Sequence, residues 1–300
     1  MARTRFQSDS GLTARMTATM FLLGALFVAI VVAVMAYSPG LGVVVGIAGI
    51  GIGIFQWWRS DTVALRAMRA RVVTPEQAPE LHGMIDRLCA MADMPKPVVA
   101  ISDSPIPNAF ATGRSPQRSA VCVTTGILQT LNAEELEGVL AHELSHVAHR
   151  DVLVMTAAAS AGIVAGMTLQ GAQFGALGRG NRDSGGVPAV LIAVLVSVVV
   201  YAVSFIALRL LSRYRELCAD RSGAYLTQKP GALASALQKI SGQMNNVPER
   251  DLRASQSMNA FFIAPAIKGA SLSTLTSTHP PLEQRLDQLA KIQAELGKAY

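Results

Sequence analysis

From Met16 to Trp58 the chain carries no ionisable side chain except Tyr37. Among its 300 residues nothing restricts the fold more sharply. A water-exposed surface needs charge, whereas the hydrocarbon core of a bilayer takes about 20 apolar residues of helix. Ser38-Pro39-Gly40 divides the run with a tight turn, giving spans at 16–37 and 41–58. Glycines at 42, 46, 49, 51 and 53 let helices approach closely in lipid, so the spans are expected to form a hairpin. Trp57 and Trp58 fall where an interfacial aromatic belt belongs. A cleaved signal peptide is disfavoured, because the first run exceeds the usual apolar stretch of about 7–15 residues and a second span follows directly. Composition agrees: the chain is 51% hydrophobic and 15% charged, with mean hydropathy +0.36, whereas soluble domains carry about 25% charge.

The net charge of +6 and pI near 9.5 do not indicate nucleic acid. Arg3, Arg5 and Arg15 precede the first span, and Arg59, Arg66, Arg69 and Arg71 follow the second. That is the positive-inside pattern, which puts the N-terminus and the region after residue 58 in the cytoplasm. Cys89, Cys122 and Cys218 are scattered and form no C-x-x-C pair, which fits a reducing compartment and buried thiols.

Two further charge-free runs cover 152–178 and 187–208. The loop between them carries Arg179 and Arg182 on what would be the outer side, against the charge rule. Full spans and a partly inserted hairpin both stay open, and either returns the chain to the side it left. The expected organisation is a membrane hairpin at 1–58, the first part of a cytosolic domain at 59–151, a second apolar hairpin at 152–211 and the second part of that domain at 212–300.

Segment 59–151 has the charge and periodicity of a folded domain. Thr74-Pro75-Glu76-Gln77 predicts a helix start with Pro75 at the first helical position. Leu81, Met84, Ile85, Leu88 and Met91 continue at helical spacing, with His82 as an ordinary surface or partly packed histidine. Short strands are expected at 97–102 and 119–125, and a third at 107–113 that turns at Gly113. Such a sheet either holds an extended substrate by edge pairing or simply roofs the core.

Chemistry concentrates in His142-Glu143-Leu144-Ser145-His146. Asn132 and Glu135 form a capping box that opens a helix carrying Leu136, Val139 and Leu140 on its apolar side. Two His four residues apart then share a face and can hold one metal ion, with Glu143 beside its open position. Zinc suits neutral imidazoles and keeps a fourth position for water. It needs a third protein ligand. In Arg215-Glu216-Leu217-Cys218-Ala219-Asp220, Glu216 and Asp220 share a helix face. Glu216 could ligate, and Asp220 could accept the outer N–H of a ligand imidazole; a solvated acidic pair is the alternative. His149 is one turn beyond His146, too far along the helix for the same ion. His279 precedes a final amphipathic helix, as a capping residue or an oxyanion donor.

H-E-L-S-H, R-E-L-C-A-D, T-H-P-P-L-E-Q-R and P-N-A-F-A-T-G together resemble the HtpX family of membrane-bound zinc metallopeptidases, gluzincins related to the CAAX prenyl endopeptidases. The resemblance covers most of residues 10–290. It implies His142, His146 and Glu216 as ligands of one Zn2+ ion, Glu143 as general base, and His279 and Arg285 as substrate or transition-state contacts. It also implies Asn108, Ala109 and Phe110 in a substrate-edge strand. The expected protein is a mainly α membrane protein with a zincin-like α+β cytosolic domain and a small β-sheet, interrupted by the second apolar hairpin. It would be an inner-membrane endopeptidase acting on damaged or misfolded membrane proteins during stress, with polypeptide substrates and the lipid bilayer as partners. An inactive zinc-binding scaffold is the alternative. A transporter is disfavoured, since the apolar runs hold no ionisable residue other than tyrosine. Natural substrates, oligomeric state, self-cleavage and the role of 245–270 are not legible.

Overall fold

The computed structural model describes Phe6 and residues 9–151, 186–244 and 279–298. The chain forms two compact units, one of Met1–Leu12, Arg59–Val152 and Ser212–Tyr300, the other of Thr13–Trp58 and Leu153–Leu211.

In the apolar unit, α1 (Ser10–Tyr37) and α2 (Pro39–Trp58) are separated by Ser38 alone. The helix begins ahead of the apolar run because Asp9 caps it, accepting the Leu12 N–H at 2.8 Å. The expected three-residue turn shrinks because Pro39 takes a first-turn helical position, where its missing N–H costs nothing. Close approach rests on Gly42, where a Cβ would lie 2.7 Å from Met35 Cα. Both helices are long and apolar enough to cross a membrane. They expose large apolar side chains, Phe21 at 80% among them, which a helix in water would bury. The predicted run 187–208 lies in α7 (Gly186–Thr227), whose Val200 packs with Ile30 and Val34. The run 152–178, its loop and 245–270 fall outside the described residues.

The other unit starts with α3 (Ser60–Ala67) and β1 (Ala70–Val72), a strand with no alternation long enough to predict it. Then come α4 (Pro79–Ala92), β2 (Val98–Ser102), β3 (Ala109–Ser115), β4 (Arg118–Thr124), α5 (Thr125–Thr130) and α6 (Ala133–Ala148). α8 (Pro230–Met244) and α9 (Leu282–Lys298) follow the end of α7. The sheet has the order β1-β2-β4-β3, with β2 and β4 parallel and the outer pairs antiparallel. Thus β3 is an edge strand.

Three local expectations are corrected. The helix predicted from Pro75 begins at Pro79; a start at 75 would put Pro79 in the helix interior, lacking an N–H and crowding the carbonyl of residue 75. Thr74–Gln77 is a turn instead, with Gln77 N–H donating to Thr74 O at 3.0 Å. His82 is buried, its Nε2 3.0 Å from Val73 O, not a surface residue. β3 does not turn at Gly113: a bulge there lets the strand continue to Ser115.

The core joins Val99, Val121 and Val123 of the sheet to Ile85 and Leu88 of α4, Val139, Leu140 and Leu144 of α6, and Leu237, Ile240 and Leu289 of α8 and α9. Both halves of the capping box on α6 are present, Asn132 Oδ1 taking Glu135 N–H at 2.9 Å and Glu135 Oε2 taking Asn132 N–H at 3.0 Å. Asn132→Ala is expected to cost about 1 kcal/mol, visible as a lower unfolding midpoint; an unchanged midpoint would remove the cap from the argument.

Candidate active site

α6 places His142 and His146 one turn apart, both buried, with Nε2 atoms 3.3 Å from each other. From α7, Glu216 brings Oε2 to 3.5 Å from His142 Nε2 and Oε1 to 3.4 Å from His146 Nε2. Among the described residues these three form a cluster able to hold a metal. Each imidazole turns Nδ1 outward to a carboxylate: His142 lies 2.9 Å from Asp220 Oδ1, and His146 lies 2.7 Å from Asp151 Oδ2. With the rings neutral and Nδ1 as donor, both Nε2 lone pairs face the Glu216 carboxylate, so electron-rich atoms of three side chains converge. A cation satisfies that arrangement. Tetrahedral zinc with bonds of about 2.0–2.1 Å has donors about 3.3–3.4 Å apart, close to the spacings found.

The surrounding carboxylates also favour positive charge at the two imidazoles. Burial favours neutral imidazoles, but Asp220 and Glu216 outweigh it at His142 and raise its pKa. At His146, burial is outweighed by Asp151 and Glu216, and the pKa is pushed up to about 10. Burial would raise Glu216, yet His279 and the two α6 histidines hold it well below the ordinary range. Positive charge is what this cavity attracts. For Glu143, burial leads and pushes the carboxyl up; its Oε2 accepts the Ala111 N–H of β3 at 2.9 Å.

The family comparison fits the geometry. Residues 75–293 match the model of Peptidase family M48. The chain belongs to peptidase family M48. It is 52% identical over 298 residues to Protease HtpX homolog 1 of Streptomyces coelicolor, covering 99% of this chain and 98% of that protein. It is 47% identical to a Protease HtpX homolog of Moorella thermoacetica, covering 98% of each. The resemblance drawn from the motifs is thereby borne out, and the chain is a membrane metalloprotease. The crystal structure of S. mikatae Ste24p aligns with a TM-score of 0.55 at 16% identity, covering 92% of this chain and 65% of that one, and shows a shared fold.

The other expected residues of this M48 chain lie as follows. His279 Nδ1 is 3.1 Å from Glu216 Oε2, three residues ahead of α9. Arg285 is buried, and its Nε and Nη2 hold Asp220 at 2.7 and 2.6 Å. Its guanidinium therefore holds a carboxylate beside the cluster. Asn108, Ala109 and Phe110 are buried; Phe110 packs with Ala64, Ala100 and Cys122. What β3 offers outward is backbone. Its register pairs Phe110 with Cys122 and Thr112 with Ala120, and Ala111 turns its N–H away from β4 to Glu143. His149 caps the end of α6 and is outside the cluster.

Sequence reasoning missed Asp151 and Arg215 around His146, and Gly223. Gly223 follows Glu216 and Asp220 at i+7 and i+3, on the face toward α6, and a Cβ there would lie 3.0 Å from His142 N. Gly223→Val is expected to cost about 1–3 kcal/mol by overpacking and to lower metal content. A variant as stable and as metal-loaded as wild type would sink this account of the α6–α7 contact.

Proposed function

We propose that the chain is a zinc endopeptidase in which His142, His146 and Glu216 hold the metal and Glu143 is the general base. The observation that carries this is the buried cluster in which the two Nε2 atoms lie 3.3 Å apart and the Glu216 carboxylate brings one oxygen to 3.4 Å from His146 and the other to 3.5 Å from His142. Zinc, when bound, supplies a Lewis acid and a water acidified toward neutrality. Glu143 takes a proton from the attacking water and returns it to the leaving amine, a role suited to a buried carboxylate whose proton affinity is raised. The outward backbone of Ala109, Ala111 and Gly113 pairs with an extended substrate, and Ala111 N–H exchanges its Glu143 partner for a substrate carbonyl. His279 and Arg285 act by holding Glu216 and Asp220. The active site and termini face the cytoplasm, from the arginine asymmetry about 16–37 and 41–58. Substrates are damaged or misfolded membrane proteins in the inner membrane under stress, a reading supported by the M48 family and the HtpX-named relatives.

Protein purified in detergent without metal and then given zinc is expected to bind one equivalent and cleave an unfolded reporter protein, and a chelator is expected to abolish cleavage. One bound equivalent with no cleavage of any unfolded reporter would favour the scaffold. An intact buried Glu143 argues against that outcome, since binding alone requires no base.

A further inference from the structure

The geometry points to Asp151 and Arg215 as a positioning pair for His146, acting on the metal through that imidazole. This rests on the ligand set proposed above. Asp151 Oδ2 lies 2.7 Å from His146 Nδ1, and Arg215 Nε lies 2.9 Å from the same Asp151 oxygen. All three residues are buried, Asp151 at 1% exposure. A buried carboxylate without a cation is costly, so Arg215 is what allows a charged Asp151 to face the ring. Arg285 does the same for Asp220 behind His142, at 2.6 and 2.7 Å. Each ligand imidazole is therefore backed by a carboxylate that is itself held by an arginine.

The chain builds this contact deliberately. On a continuing helix Asp151, five residues after His146, would stand about 140° around the axis, at 3.6 residues per turn. Instead α6 stops at Ala148, and Arg150 adopts a left-handed φ of 58°. His149 N–H closes on Ser145 O at 2.9 Å and Arg150 N–H on Val147 O at 3.2 Å. That terminator is usually glycine. Here it folds the chain back so that Asp151 returns beneath His146. Arg215 in turn precedes Glu216 on α7, so one helical turn supplies both a ligand and the clamp on another ligand's partner.

The test compares full-length wild type, Asp151→Asn, Arg215→Lys and His146→Ala, all in detergent. It reads zinc transfer to a chromogenic chelator and the visible spectrum of each protein loaded with Co(II). Asp151→Asn is expected to release zinc about 10–100-fold faster and to shift the Co(II) bands. Arg215→Lys keeps the charge but loses the planar fork, and is expected to change both readouts in the same direction by less. Should Asp151→Asn fail to fold, Arg215→Lys decides by the same criteria. If these variants melt earlier yet keep wild-type zinc release and Co(II) bands, the pair is structural only and the proposal falls. If His146→Ala also retains zinc like wild type, the ligand set itself is wrong, a failure distinct from that of the pair alone.

Discussion

Glu143→Gln is expected to lower kcat by about 10²–10⁴-fold, the usual contribution of a positioned general base, while metal content stays at the wild-type level. The amide keeps the shape of the side chain and still accepts the Ala111 N–H now received at 2.9 Å. It cannot take up a proton. Because Glu143 lies outside the His142, His146 and Glu216 cluster, metal retention does not depend on it. Equal cleavage by both proteins would dismiss Glu143 as the base. Loss of metal in the variant would instead place Glu143 among the groups that hold the ion.

Arg285→Met is expected to have the largest effect on stability. Arg285 and Asp220 are both buried, and the pair is bidentate. Removing the guanidinium leaves a carboxylate without its counter-charge, which costs about 3–5 kcal/mol. The measurement is the unfolding midpoint together with metal content, because Asp220 also faces His142 Nδ1 at 2.9 Å. A raised KM at unchanged stability and metal content would give Arg285 to the substrate instead. The pH dependence follows from the same pair. Burial would raise the Asp220 pKa, but Arg285 and His142 outweigh it and lower it from the ordinary 3.8. A depressed carboxyl contributes stability that is complete above the unfolded value and is lost as pH falls through the folded one. Wild type should therefore lose this contribution below about pH 4, and Arg285→Met should show little of that acid step.

His142 and His146 were legible because their relation is local: residues four apart on a capped helix share a face wherever that helix is packed. The same holds for Glu216 and Asp220 on α7. The charge-free runs 16–37 and 41–58 were legible because a bilayer imposes apolarity on every residue it surrounds. The start of α4 was misread because two prolines compete for one helical position, and only the completed turn at Thr74–Gln77 decides between them. In the motif Phe110 is legible only as a member of an edge strand; strand alternation and α3 direct its ring into a core with Ala64 and Cys122. The partners of Arg215 and Arg285 carried no signal, since a buried, paired arginine and a solvated one are written with the same letter.

What the sequence determined by itself was a set of short-range relations: which side chains share a helix face, and which stretches exclude water. Which carboxylate each arginine neutralises was decided only by the tertiary structure. Asp220 and Arg285 stand 65 residues apart in the chain, and the charge on either is affordable in the interior only when packing brings the other within hydrogen-bonding distance.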